Sequence, residues 1–212
     1  MIFSQLFSNP ALVVMWVVGV LYAITVHEFS HALAAKLQGD PTPESQGRLS
    51  FNPLVHIDPM GFIMLLFIGF GWGKPVVFDE RQLRHPRLGA ALVGLAGPLS
   101  NLLSVILFGF LTRFFLAQGT PPENLMIQFF VFLILLNTTL MVFNLIPIPP
   151  LDGSHVLLAV IPDRFWVFKG FLITRGPVLL FGLVILDMAT NGRILSPVFS
   201  WFQYSVFRIL GA

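Results

Sequence analysis

The chain has 212 residues, of which 56% are hydrophobic and only 10% charged; a soluble domain carries about 25% charged residues to face water. With a mean hydropathy of +0.84, it lacks the charge to cover a water-facing surface, so lipid must be its solvent. The absence of cysteine excludes disulfides and thiolate metal sites, and a net charge of +2 without a basic cluster interleaved with aromatics excludes a nucleic-acid surface.

A transmembrane helix needs about 20 apolar residues. The first candidate runs from Ala11 to Lys36, with the sequence HEFSH (His27 to His31) in its C-terminal half. The N-terminus lacks the basic n-region of a cleavable signal peptide, so this segment is expected to stay as an anchor. A polar, Pro- and Gly-rich stretch follows from Gly39 to Pro59, then a short apolar run from Met60 to Trp72, too short for a helical crossing. The loop from Lys74 to Arg87 is basic. Further spans are predicted from Leu88 to Leu111 and from Leu125 to Ile146, where Pro147, Pro149 and Pro150 interrupt the apolar run. An apolar piece resumes from Gly153 to Ile161, a fourth span covers Phe171 to Ala189, and Ile194 to Leu210 forms either a short fifth span or an interfacial helix. The fold class is thus an all-α polytopic membrane protein of about four to five transmembrane helices. The short run after the first span is read as re-entrant, with a β-hairpin as one form it can take.

Lys and Arg favour the cytoplasmic side. If the first helix runs from outside inwards and the Met60 to Trp72 run dips in and returns, Lys36, Arg48, Lys74, Arg81, Arg84, Arg87, Arg164 and Lys169 are all cytoplasmic. Only Arg113 and Arg193 are then clearly outside. This bias places the N-terminus outside.

HEFSH is an H-E-x-x-H zinc motif. On a helix, positions i and i+4 share a face, so His27 and His31 can offer imidazole nitrogens to one metal, and Glu28 can take a proton from a water held there. The alternative is a pair of histidines satisfied by neighbouring helices. Three ionisable residues within one span are costly, at about 2.5 to 3.5 kcal/mol for groups such as Asp or Arg, and metal binding offsets that cost. A hydrolytic zinc has three protein ligands and an open position. The best candidate for the third is Asp152, the acid between two apolar runs on the broken span; taken alone it reads equally well as a helix N-cap before Gly153 and Ser154. Depth discriminates between the two. His27 lies nine residues before Lys36, roughly 13 Å of helix, and Asp152 lies eleven before Asp163, roughly 16 Å. These depths are measured from the same face only if the Met60 to Trp72 run is re-entrant.

HEFSH in the first span, GPLSN (Gly97 to Asn101) in the next and NLIPIPPLDG (Asn144 to Gly153) together resemble the site-2 protease family of intramembrane zinc metalloproteases. NPLVHIDPMG (Asn52 to Gly61) and GWGKPV (Gly71 to Val76) are similar to its compact bacterial and archaeal-type members. The resemblance covers about residues 20 to 160. It implies one Zn2+ per chain held by His27, His31 and Asp152, Glu28 as catalytic acid/base, and Asn144 as a group stabilising the reacting carbonyl. It also implies hydrolysis of membrane-spanning substrate proteins within or beside the bilayer of a prokaryotic cell membrane, in regulated intramembrane proteolysis. Residues 1–212 are read as one integral-membrane domain with a catalytic core of about 11–162, without room for the PDZ or nucleotide-sensing domains of larger members. His155 stands after the LDG motif where the resemblance leads one to expect a basic residue.

An unwound substrate inside lipid exposes unpaired backbone groups. The Gly-, Pro- and aromatic-rich region from Gly47 to Val77 reads either as a loop that pairs with substrate as an added strand or as a packed interfacial loop. His56 and Asp58 read as entrance residues or as local turn formers, His85 as solvated, and Asp187 as interfacial. Gly94, Gly97 and Asn101 suit close helix packing, with ligand orientation as a second reading for Asn101. A zinc transporter would show polar groups on several helices and repeat symmetry; here the polar groups converge on one site. A non-catalytic relative would be expected to lack Glu28, which is present.

Overall fold

The computed structural model describes residues 9–68 and 71–210, and among these it is all-α, with eight helices, three 3-10 turns and no strand. In chain order the helices are α1 (Pro10–Leu37), α2 (Thr42–Ser45), α3 (Pro59–Ile68), α4 (Pro86–Ala117), α5 (Leu125–Asn144), α6 (Gly153–Val160), α7 (Trp166–Ala189) and α8 (Ser196–Leu210). Four segments are long and apolar enough to cross a membrane, namely α1, α4, α5 and Asp163–Ala189, which contains α7. The chain is therefore an integral membrane protein. Residues 1–8, on which the anchor reading drew, lie outside the described residues, as do Gly69 and Phe70.

Local chemistry sets where the helices begin and end. Asn9 caps α1 by accepting from the Ala11 amide at 3.0 Å, and Pro10 fills the first helical position, where an N–H would have no partner anyway. Past its end, Gly39 adopts φ 105°, a left-handed conformation that suits glycine. Asn124 caps α5 through the Met126 amide at 2.9 Å. That helix stops at Asn144, two residues short of the expected end, because Pro147, Pro149 and Pro150 cannot continue it. Helix resumes at Gly153, where a Cβ would collide with the Leu145 carbonyl oxygen, so no side chain fits. Asp152 is thereby held in the break between two helices.

The centre of the bundle is α4, which packs against α5, α1 and α6. It runs 32 residues, six past the expected Leu111 and two before Leu88. At about 48 Å it exceeds the roughly 30 Å hydrocarbon thickness. Its buried face is built of Gly89, Ala90, Ala91, Gly94, Gly97, Ser100 and Ser104, and such small residues let membrane helices approach closely. Pro98 removes one backbone donor in the middle of this face.

The β-hairpin form of the short run is not what the structure contains. Its first part is a helix, α3, and among the described residues the surrounding pairing is a single bridge between Ile57 and Gly73. Pro59 opens a run of Met, Leu, Phe and Ile without polar alternation, and that run satisfies its backbone best within itself. The excursion nonetheless ends where it began: the Lys74 amide donates to the His56 carbonyl at 2.8 Å, and Gly61 abuts the Trp72 carbonyl. Ten residues of helix give about 15 Å, half a bilayer core.

At the C-terminal end, α8 is 15 residues long, or about 22 Å, and lies along the bundle. Gln203 donates to Thr139 Oγ1 on α5 at 3.1 Å, and Arg113 of α4 donates to the Leu210 carbonyl at 2.7 Å. Asp187 ties the turn before it, accepting from the amides of Ile194 and Leu195.

Candidate metal centre

His27 and His31 lie one turn apart on α1 and face α4, both buried. Their Nε2 atoms are 3.1 Å apart. Asp152 completes a triangle, with Oδ2 3.1 Å from His27 Nε2 and Oδ1 3.3 Å from His31 Nε2. The structure thus brings together the three residues the sequence singles out as ligands, and their donor atoms form a metal-capable group.

A zinc ion fits these residues. Tetrahedral ligands at 2.0–2.2 Å from zinc lie about 3.3 Å from one another, close to all three edges of the triangle. Asp152 Oδ2, though near His27, is buried with no hydrogen-bond partner, and an unsatisfied buried carboxylate oxygen is costly without a cation. Gly97 backs the triangle: a Cβ there would collide with His31 Nε2 and stand 2.7 Å from His27 Nε2. The opposite ring edges fix the tautomers. His31 Nδ1 lies 2.7 Å from the Val93 carbonyl and His27 Nδ1 lies 2.7 Å from Asn101 Oδ1. Both partners accept, so each Nδ1 carries a proton, and the Nε2 atoms are the ones placed to offer lone pairs to a metal. Such outer partners are typical of zinc-binding histidines.

Glu28, next to His27 in the chain, borders a cleft of about 90 Å³ together with His31, Asp152, His155, Pro75 and Val76. Its Oε2 accepts from the Val76 amide at 3.1 Å and stands 3.8 Å from the Arg48 guanidinium. Arg48 is almost wholly buried and donates to the carbonyls of Val55 and Lys74. Burial lowers its pKa while Glu28 opposes the shift. His56 is fully buried, bonded through Nε2 to the Ser50 carbonyl at 2.7 Å, and burial lowers its pKa. Asp58 accepts from the Gly61 amide at 2.8 Å. Both therefore act as local turn formers. Asp40, also buried, joins the loops by accepting from the amides of Thr42 and Asp79. Asn144 stands at the end of α5 with its amide donating to the Leu140 carbonyl at 3.0 Å, and it does not line the cleft. His155 does, beside the Phe78 ring at 5.3 Å.

Sequence reasoning assigned Arg48 no part beyond its charge in the Lys and Arg bias, and Asp40 and Asn137 none at all. For Asn137 there was a signal, since it is an isolated amide in the apolar run of α5. For Arg48 and Asp40 there was none, because a charged residue in a polar loop gives no sign of burial.

Fold and site define a class: a polytopic helical membrane protein with a buried two-histidine, one-carboxylate centre and an adjacent glutamate. Residues 114–168, which include Asp152, match the model of peptidase family M50. Two relatives, both named "Putative zinc metalloprotease", share a larger part of the chain. YwhC of Bacillus subtilis is 40% identical over 150 residues, 69% of this chain and 68% of its own length. Rip2 of Mycolicibacterium smegmatis is 31% identical over 212 residues, 93% of this chain and 76% of its own. A similarly named archaeal protein, MJ0611 of Methanocaldococcus jannaschii, is 30% identical over 132 residues, 62% of each chain. No solved structure matches. The chain belongs to peptidase family M50, the site-2 protease family.

Proposed function

We propose that the chain is an intramembrane zinc metalloendopeptidase that hydrolyses peptide bonds of membrane-spanning proteins, with His27, His31 and Asp152 as zinc ligands and Glu28 as acid/base. The observation that carries this reading is the convergence of three donor atoms at 3.1–3.3 Å within a membrane helix bundle, beside a glutamate. When bound, zinc contributes Lewis acidity, which makes a water molecule nucleophilic near neutral pH. Glu28 takes the proton of the attacking water and passes it to the leaving amide nitrogen. The Val76 amide and the Arg48 guanidinium hold its carboxylate in place for both transfers.

Asn144 is the proposed stabiliser of the reacting carbonyl, a role for which its amide must release Leu140 and turn. His155, already in the cleft, is the competing donor. The cleft of about 90 Å³ is well below the 300–1,000 Å³ of ordinary ligand pockets, so substrate entry requires the chain around Pro75 and Val76 to move. Once displaced, its backbone groups can pair with an unwound substrate segment, which in lipid has no water to bond. Placement of the enzyme in regulated intramembrane proteolysis rests on the family resemblance. Purified protein mixed with single-span substrate proteins should cut them within or beside the span. Cleavage should stop on chelation and return with added zinc; cleavage indifferent to chelation would sink the reading.

For topology we infer an outside N-terminus and a site opening towards the cytoplasm. The support is the Lys and Arg bias and the return of the α3 excursion to its starting point. The chain has no cysteine, so single cysteines can report sidedness in intact cells. Thr120→Cys should react with an impermeant thiol reagent from outside, whereas Ser45→Cys and Gln82→Cys should react only after lysis. Outside labelling at Gln82 with Ser45 protected would make residues 59–72 a full crossing and contradict this topology.

A further inference from the structure

The contact between His27 and Asn101 is the end of a longer chain. Asn101 Nδ2 donates to Asn137 Oδ1 at 2.9 Å, and Asn137 Nδ2 donates to the Leu133 carbonyl at 2.8 Å. Both asparagines are fully buried, one on α4 and one on α5. The polarity of this chain is forced. A backbone carbonyl can only accept, so the nitrogen of Asn137 must face Leu133 and its oxygen must face Asn101. Asn101 then turns its nitrogen to Asn137 and its oxygen to His27. An oxygen at that position requires His27 to carry its proton on Nδ1, which leaves the Nε2 lone pair for a metal. Reversing either amide would set acceptor against acceptor or donor against donor in a low-dielectric interior, where unpaired polar groups are costly. His31 meets the same requirement directly, through the Val93 carbonyl at 2.7 Å.

We propose that Asn137 is a positioning residue of the metal centre: acting through Asn101, it transmits the polarity of the Leu133 carbonyl to His27 and holds that ring in its metal-binding tautomer. This rests on His27 being a zinc ligand. A tie between α4 and α5 would need a single hydrogen bond of either polarity; the relay adds direction, and direction matters only at His27.

The test combines nitrogen-15 NMR of the histidines in metal-free protein in micelles with zinc affinity measured by chelator competition. In wild type, His27 is expected to carry a proton on Nδ1, whether its Nε2 is free or shares a second proton with Asp152. Asn137→Leu leaves Asn101 free to reverse, so His27 should shift towards the Nε2–H form and zinc affinity should fall about 10- to 100-fold, with the His31 signal unchanged. Asn137→Asp should restore both readings, because a carboxyl buried there is held protonated and offers the same donor and acceptor. Thr138→Val removes a neighbouring buried hydroxyl that has no hydrogen-bond partner and should change neither. Should Asn137→Leu not fold, the same readings are taken on Asn137→Ser, whose short hydroxyl cannot serve both partners. A folded variant that keeps the Nδ1–H form and wild-type affinity would overturn the relay alone, whereas wild-type protein that binds no zinc would overturn the metal-centre reading beneath it.

Discussion

Glu28→Gln is expected to lower substrate cleavage by about 100- to 10,000-fold, the usual contribution of a positioned acid/base, while leaving zinc bound. That loss corresponds to about 3–5 kcal/mol of barrier. Glutamine preserves the shape of the side chain, and its amide oxygen can still accept from the Val76 amide that now bonds Glu28 at 3.1 Å. What it lacks is basicity, so no proton leaves the water and none returns to the leaving nitrogen. The neighbouring histidines need no contact with residue 28 to keep their geometry, because His27 and His31 are held from behind by Asn101 and Val93. The check is cleavage of a single-span protein alongside the zinc content of the same preparation. Full activity of Glu28→Gln would remove Glu28 from the mechanism.

Asp152→Asn is expected to weaken zinc binding by more than the roughly 10- to 100-fold that loss of an outer partner costs, and to abolish cleavage. The carboxylate is the only anion in the donor triangle, and an amide offers zinc a neutral, poorer oxygen. Asp163→Asn is the matched control. It removes one carboxylate eleven residues further on, but Asp163 is exposed and pairs with Lys169 at 2.6 Å and Arg87 at 3.8 Å, an arrangement that contributes little. Chelator competition on the three proteins reads the difference. Wild-type affinity in Asp152→Asn would send the search for a third ligand to His56 or His155, and the burial of His56 against Ser50 favours His155.

The three candidate ligands, which the structure brings together, were legible in the sequence because each violates its surroundings: two histidines a turn apart in an apolar helix, and an acid where prolines break a span. The chemistry of such positions is nearly independent of tertiary detail. The hairpin form of the segment after α1 failed for the opposite reason. Glycine, proline and aromatic content mark a non-standard segment but do not say how its backbone is satisfied, and ten apolar residues from Pro59 to Ile68 close their own hydrogen bonds as a helix. The orientation of amides is likewise invisible at the level of residue identity. Asn144 turned its nitrogen back to Leu140, and Asn101 became part of a chain through Asn137 that only three-dimensional neighbours define. Arg48 shows the same limit, since its burial beside Glu28 depends on the return of residues 73–76 to α1.

Metal analysis of purified, chelator-free wild-type protein tests the centre most directly. If His27, His31 and Asp152 hold zinc as proposed, the protein should carry about one zinc per chain, lost in His27→Ala and in His31→Ala. Folded protein without a bound transition metal would contradict the account at its core.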